Sequence, residues 1–285
     1  MNEINEFITQ YGPTIRMVIF ISLFSFLSMV EVFYFLRPFT ENKVVRRINN
    51  LALLVTGAIL VYFLFPLAAL AISKVVEDNN WGLLNFYELD YWLKVVIAYI
   101  LLDLSIYFQH VIFHTLPLFW RFHRVHHCDL ECDVTTGVRF HPIEILLSML
   151  VKFMTIAALG APVLAVFLFE VSLNFMSMFT HANINLPKSL EKILSPIIVT
   201  PRMHFIHHST VEHHTNSNFG FNISLWDRMF GTFVMRKDHE LKEMDIGLSH
   251  YRDIKKQSLR WLLYLPFVDS VRHYAINMRN HDQDK

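Results

Sequence analysis

Residues 91–116 read YWLKVVIAYILLDLSIYFQHVIFHTL, and the reading of this stretch decides the fold. It is long enough to cross a hydrocarbon core, which takes about 20 helical residues. Yet it carries Asp103, Tyr107, His110 and His114, which follow one another at i, i+4, i+7 and i+11. On a helix these positions form a single polar stripe along one side. Ionisable groups at membrane depth are costly and by default face a bundle interior or a functional site. The stretch therefore predicts a membrane helix with one face turned to a buried centre.

The rest of the chain agrees with a membrane setting. It is 53% hydrophobic with 25 Lys and Arg against 25 Asp and Glu, so its charge balance predicts neither nucleic acid binding nor a polybasic membrane patch. Pro13 to Leu36 and Leu51 to Ile72 are further spans by length. Glu3 and Glu6 stand where a cleaved signal peptide would be basic. Arg37, Lys43, Arg46 and Arg47 follow the first span, whereas only Lys74 accompanies Glu77 and Asp78 after the second. The positive-inside rule then puts the first of these loops in the cytoplasm, and the third span delivers His114 to the same side. Ile143 to Thr180 is apolar but broken at Gly160-Ala161-Pro162, a turn signal that predicts a helical hairpin. Lys152 and Glu170 each lie nine residues from Ala161, so the hairpin holds them at similar depth. Either they form an ion pair or Lys152 snorkels to the interface. From Pro187 onward the chain is more polar; His181 to about Gly231 reads as the second half of a cytoplasmic cap, and Trp261 to Phe267 as part of a peripheral or interfacial tail.

A hairpin returns the chain to the side it left, and this lets two copies of one pattern meet. Arg-x-His-x-x-His-His occurs as RFHRVHH at Arg121 to His127 and as RMHFIHH at Arg202 to His208. On a helix its histidines share one face, and imidazole suits iron, zinc, copper or nickel. The two copies read as halves of one metal site. Cys128 and Cys132 follow the first copy, but C-x-x-x-C without a second cysteine pair is a weak zinc pattern, and a reducing cytoplasm argues against a disulfide.

The motifs occur in a familiar order. After the His110-x-x-x-His114 stripe come FWRFHRVHH (Phe119 to His127), RFHPIE (Arg139 to Glu144), HANINLP (His181 to Pro187), TPRMHFIHHS (Thr200 to Ser209), NSNFGF (Asn216 to Phe221) and WDRMFGT (Trp226 to Thr232). This resembles the fatty acid hydroxylase / sterol desaturase superfamily, over roughly Tyr91 to Phe233. The resemblance implies a membrane-bound, histidine-coordinated pair of iron ions that uses O2 and electrons from an external electron-transfer protein to hydroxylate or desaturate a lipid. It assigns His110, His114, His123, His126, His127, His204, His207 and His208 as ligands, and His181 as a ninth. His141, His213 and His214 are possible extra ligands. Asp103, and with it Tyr107 on the same stripe, are candidates to support a ligand from behind by accepting an imidazole N–H. Arg139 and Glu144 are expected to lock the cap in place, Asp227 to serve a turn or cap, and His239, His250, His273 and His281 to be solvated.

The expected molecule is thus an all-α integral membrane protein. About four transmembrane or hairpin helices carry a cytoplasmic helical cap with a His-rich di-metal site, in a bacterial inner membrane or the endoplasmic reticulum. Residues 1–285 form one membrane domain with a catalytic region at 91–233. The eight glycines never form G-x-G-x-x-G, so electrons are expected from outside. A zinc-dependent hydrolase using the same histidines on water, and a non-catalytic metal-binding membrane protein, are the competing readings.

Overall fold

The computed structural model describes residues 2–39, 43–65 and 69–268. Two helices, α1 (Asn2–Phe33) and α2 (Lys43–Leu64), open the chain, followed by the shorter α3 (Ala69–Asp78) and α4 (Leu83–Phe86). The stretch quoted first is α5 (Tyr91–Thr115), continued by α6 (Pro117–His127). The hairpin is α7 (Pro142–Leu159) and α8 (Val163–His181). A cap of short helices follows: α9 (Lys188–Leu194), α10 (Pro201–His207), α11 (Glu212–Thr215), α12 (Leu225–Met229), α13 (Asp238–Glu243) and α14 (Leu259–Tyr264).

Five stretches are long and apolar enough to cross a membrane: Glu3–Phe33, Lys43–Phe86, Tyr91–Thr115, Pro142–Leu159 and Val163–His181. The second runs through 66–68, so these three residues of the span expected at 51–72 lie outside the described residues. Their outward faces are apolar, as Met17, Ile21, Val55, Ile59, Val96 and Met154 show by their exposure. Inside, α8 is the hub, packed against α1, α3, α5 and α10. A core of Leu70, Ala98, Leu102, Ile156, Val166 and Phe169 joins α3, α5, α7 and α8.

Local chemistry sets the helix boundaries that matter. Asp90 caps α5 by accepting from the backbone N–H of Trp92 and Leu93. Leu116 then breaks α5 from α6: it precedes Pro117, where steric clash disfavours the helical region, and is extended at φ −93°. The same X-Pro entry starts α7 after His141 and α10 after Thr200. At the hairpin turn Gly160 takes φ +71°, and a Cβ there would lie 2.4 Å from the Trp81 carbonyl oxygen, so glycine is required twice over.

The two arrangements open for Lys152 resolve as an ion pair. Its Nζ lies 2.6 Å from Glu170 Oε1, and Arg16 of α1 binds the other carboxylate oxygen. The tail differs from the expectation. Rather than lying peripheral, Leu262 and Leu265 are fully buried against Trp120 and Val125 of α6, and Arg124 donates to the carbonyls of Leu265 and Val268. The reason is the covering of α6, whose outer face would otherwise leave Trp120 in water.

Candidate metal centre

Nine histidines from α5, α6, α8 and α10 converge in two groups. His110, His114, His123, His127 and His207 form one, and His126, His181, His204 and His208 the other. Within each group one ring nitrogen from each member lies within 4.8 Å of the others, and every member is buried. The grouping crosses the two repeats. The outer histidines of the first copy, His123 and His127, join the middle histidine of the second, His207. Conversely His204 and His208 join His126, the middle histidine of the first. Residues i and i+4 point the same way on a helix while i+3 points about 60° aside, so two helices facing each other exchange their middle residues. To this symmetric core α5 adds His110 and His114 on one side, and α8 adds His181 on the other.

Carbonyl groups behind the rings fix which nitrogen faces inward. Nδ1 of His110 donates to the Phe219 carbonyl at 2.8 Å, that of His207 to Ser217 at 2.7 Å, that of His181 to Ser177 at 2.6 Å and that of His126 to Arg139 at 3.2 Å. A carbonyl can only accept, so each Nδ1 carries the proton and each Nε2 presents a lone pair. The Nε2 atoms of His181 and His126 nevertheless lie 2.9 Å apart. Two lone pairs at that distance repel unless a cation sits among them. Protonation does not supply the charge: burial presses His123 down to about 3 and holds His126, His127, His204, His207 and His208 well below the ordinary imidazole value. Nε2 of His127 and of His207 are buried without a hydrogen-bond partner among the described residues. The donor set fits metal ions that favour neutral nitrogen.

The other expected residues have other partners. His141 caps α7, its Nδ1 accepting from the Ile143 N–H at 3.2 Å while Nε2 lies 3.3 Å from the Leu263 carbonyl. His213 and His214 lie beside Arg236, whose Nε donates to His214 at 2.8 Å. All three stand outside both groups. Among the described residues Asp103 meets no imidazole; it accepts from the N–H groups of Asn222 and Ile223 and from the Trp226 indole at 2.8 Å. Tyr107 shares a hydrogen bond with Thr232 at 2.9 Å. Both therefore tie α5 to the 218–232 segment. Asp227 holds the same segment, accepting from the N–H of Phe219 and Gly220 at 2.7 and 2.8 Å, and so fixes the carbonyl that receives His110. His239 and His250 are exposed, and His273 and His281 lie outside the described residues.

The carboxylate that does reach a ligand-type imidazole is Glu144, whose Oε1 lies 2.6 Å from His123 Nδ1. It sits in the first turn of α7, and nothing in the local sequence marks its partner on α6. Arg139 is fully buried, donating to the Val125 carbonyl, Asn50 and Gln257, and also to Cys128 Sγ at 3.0 Å.

Comparison with known proteins follows the same residues. The family model described as Fatty acid hydroxylase matches residues 95–232. Ornithine lipid hydroxylase OlsE of Rhizobium tropici is 31% identical over 173 residues, covering 59% of this chain and 50% of the relative. Alkylglycerol monooxygenase of Xenopus tropicalis is 31% identical over 150 residues, covering 52% and 31%. Cholesterol 25-hydroxylase of Mus musculus is 28% identical over 141 residues, covering 48% and 46%. The chain thus spans half or less of the length of these curated relatives. No solved structure matches. The segment that the Fatty acid hydroxylase model matches, residues 95–232, holds all nine convergent histidines.

Proposed function

We propose that this protein is a membrane-bound di-iron oxygenase that hydroxylates or desaturates a lipid C–H bond with O2 and electrons from an external electron-transfer protein. The exchange of middle histidines between α6 and α10 carries the reading, because it builds two adjacent nitrogen pockets that share both repeats. His110, His114, His123, His127 and His207 would hold one ion, and His126, His181, His204 and His208 the other. When bound, the irons supply the redox chemistry with dioxygen that an unactivated methylene requires and that redox-inert zinc lacks. The relatives' names, lipid hydroxylases and monooxygenases, support that choice over a hydrolase.

The chain's own residues hold and shield this pair. The carbonyls of Phe219, Ser217, Ser177 and Arg139 orient four imidazoles, and Glu144 orients a fifth. Trp120 packs against His114 and His127, Phe140 stacks on His126 at 4.5 Å, and Phe219 borders His110, His114 and His207, so apolar rings keep bulk water from the centre. The lipid dissolves in the bilayer beside the exposed apolar faces and enters laterally. The centre lies on the cytoplasmic side, as Arg37 and Lys43 beside the α1–α2 connection support, and residues 1–285 act as one domain around the 91–233 catalytic region.

Lipid extracts of cells expressing the wild type or His123→Ala under oxygen-18 gas test this. A lipid that gains one labelled oxygen only in the wild type marks hydroxylation, and one that loses two hydrogens marks desaturation. Identical extracts, with iron loading and a working reductase verified, would refute the reading.

A further inference from the structure

Asn216 is the polar side chain whose position the nine histidines leave unexplained. It is 8% exposed, and neither Oδ1 nor Nδ2 has a hydrogen-bond partner among the described residues. A buried carboxamide with both ends unpaired is costly and asks for a missing partner. Its surroundings say where that partner sits. Asn216 ends α11 and faces the His114 ring, whose own two nitrogens lack partners. The next residues wrap the same group: Ser217 receives His207, and Phe219 receives His110. The amide is therefore turned to the five-histidine group, within reach of the His114 ring but without a well-aligned hydrogen bond to it.

We propose that Asn216 is a positioning residue whose carboxamide holds a small oxygen-bearing ligand, water in the resting protein, against the five-histidine group. The assignment rests on the reading of that group as a metal site. A metal ion held by these five imidazoles would still accept a small oxygen ligand, and a water there could both accept from and donate to the amide. Nδ2 donates to such a ligand and Oδ1 accepts from it, which satisfies both ends of the amide at once. Being neutral, the carboxamide does so without compensating the ion's charge, so the position stays open to exchange by anionic ligands.

Azide titration of cobalt(II)-loaded full-length protein in detergent tests this, with visible absorption as the readout. The wild type should bind two cobalt ions per chain and azide saturably. Asn216→Leu, similar in size but without donor or acceptor, should keep both ions and bind azide about tenfold or more weakly, the effect of one lost hydrogen bond to a charged ligand. Asn216→Asp, which lacks the N–H and adds a repelling charge, should weaken azide as well, and it answers the question if the leucine variant loses its helix content. Unchanged azide affinity in a variant that retains both ions overturns the assignment. Loss of one cobalt from a variant with wild-type helix content also overturns it, because that marks a direct ligand. Wild-type protein that takes up no cobalt sinks the metal reading itself, a result distinct from either.

Discussion

Glu144 and His123 lie on different helices, α7 and α6, with Oε1 2.6 Å from Nδ1, and this contact ties the hairpin to the histidine cap. A carboxylate behind an imidazole fixes its orientation and raises its basicity. Glu144→Ala should therefore lower metal retention by about 10–100-fold in a chelator challenge. Glu144→Gln, which retains an acceptor, should fall between. Equal retention in all three proteins would remove any role of Glu144 in the centre.

The crossed sharing makes a prediction about stoichiometry. His207→Ala lies in the second repeat but should empty the pocket that holds most of the first, leaving one metal per chain, and His126→Ala should empty the other. The double variant should hold none. Elemental analysis of gently purified protein decides, and two ions in either single variant would contradict the grouping.

Acid should loosen the metal-free protein. Burial holds the His123 imidazole at about 3 in the folded chain, whereas an unfolded histidine titrates near 6.5. Between those values the unfolded chain binds more protons, so stability is intact above about pH 6.5 and is lost as pH falls toward 3. Each such histidine contributes a slope of up to about 1.4 kcal/mol per pH unit. Thermal unfolding of the apo protein between pH 5 and 8 should show a falling midpoint on the acid side, and a flat profile would speak against neutral buried rings.

The ion pair inside the hairpin is asymmetric. Glu170→Gln leaves Lys152 and Arg16 facing each other without a counter-charge, whereas Lys152→Met leaves Glu170 still paired with Arg16. Breaking a buried pair by removing one partner costs about 3–5 kcal/mol. Thermal unfolding in one detergent should place Glu170→Gln well below Lys152→Met, and the opposite order would show that Arg16 does not compensate.

Much of this arrangement was legible because it rests on period and spacing. The α5 stripe, the hairpin broken at Gly160 and the two histidine repeats follow from helical geometry. What could not be read was who turns to whom across helices. Asp103 lies on the histidine stripe, yet it caps the 222–226 segment because the backbone N–H groups of Asn222 and Ile223 come to it first. Glu144, by contrast, looked like a lock on the cap and reaches a histidine. Arg46 reads as a loop cation, but it is buried and donates to Asp129 at 2.8 Å and to Asp133, so its charge is balanced within the protein. Such pairings depend on tertiary contact, which no local pattern encodes.

Because each pocket borrows one residue from the other repeat, neither can be completed before the second repeat has been made. His123, His126 and His127 leave the ribosome about 80 residues ahead of His204, His207 and His208, with the whole α7–α8 hairpin to be inserted between. Both pockets therefore close only once the hairpin and the second repeat are in place. Until then a nascent or truncated chain exposes half-built histidine clusters, so a chain cut between the repeats leaves both pockets open at once.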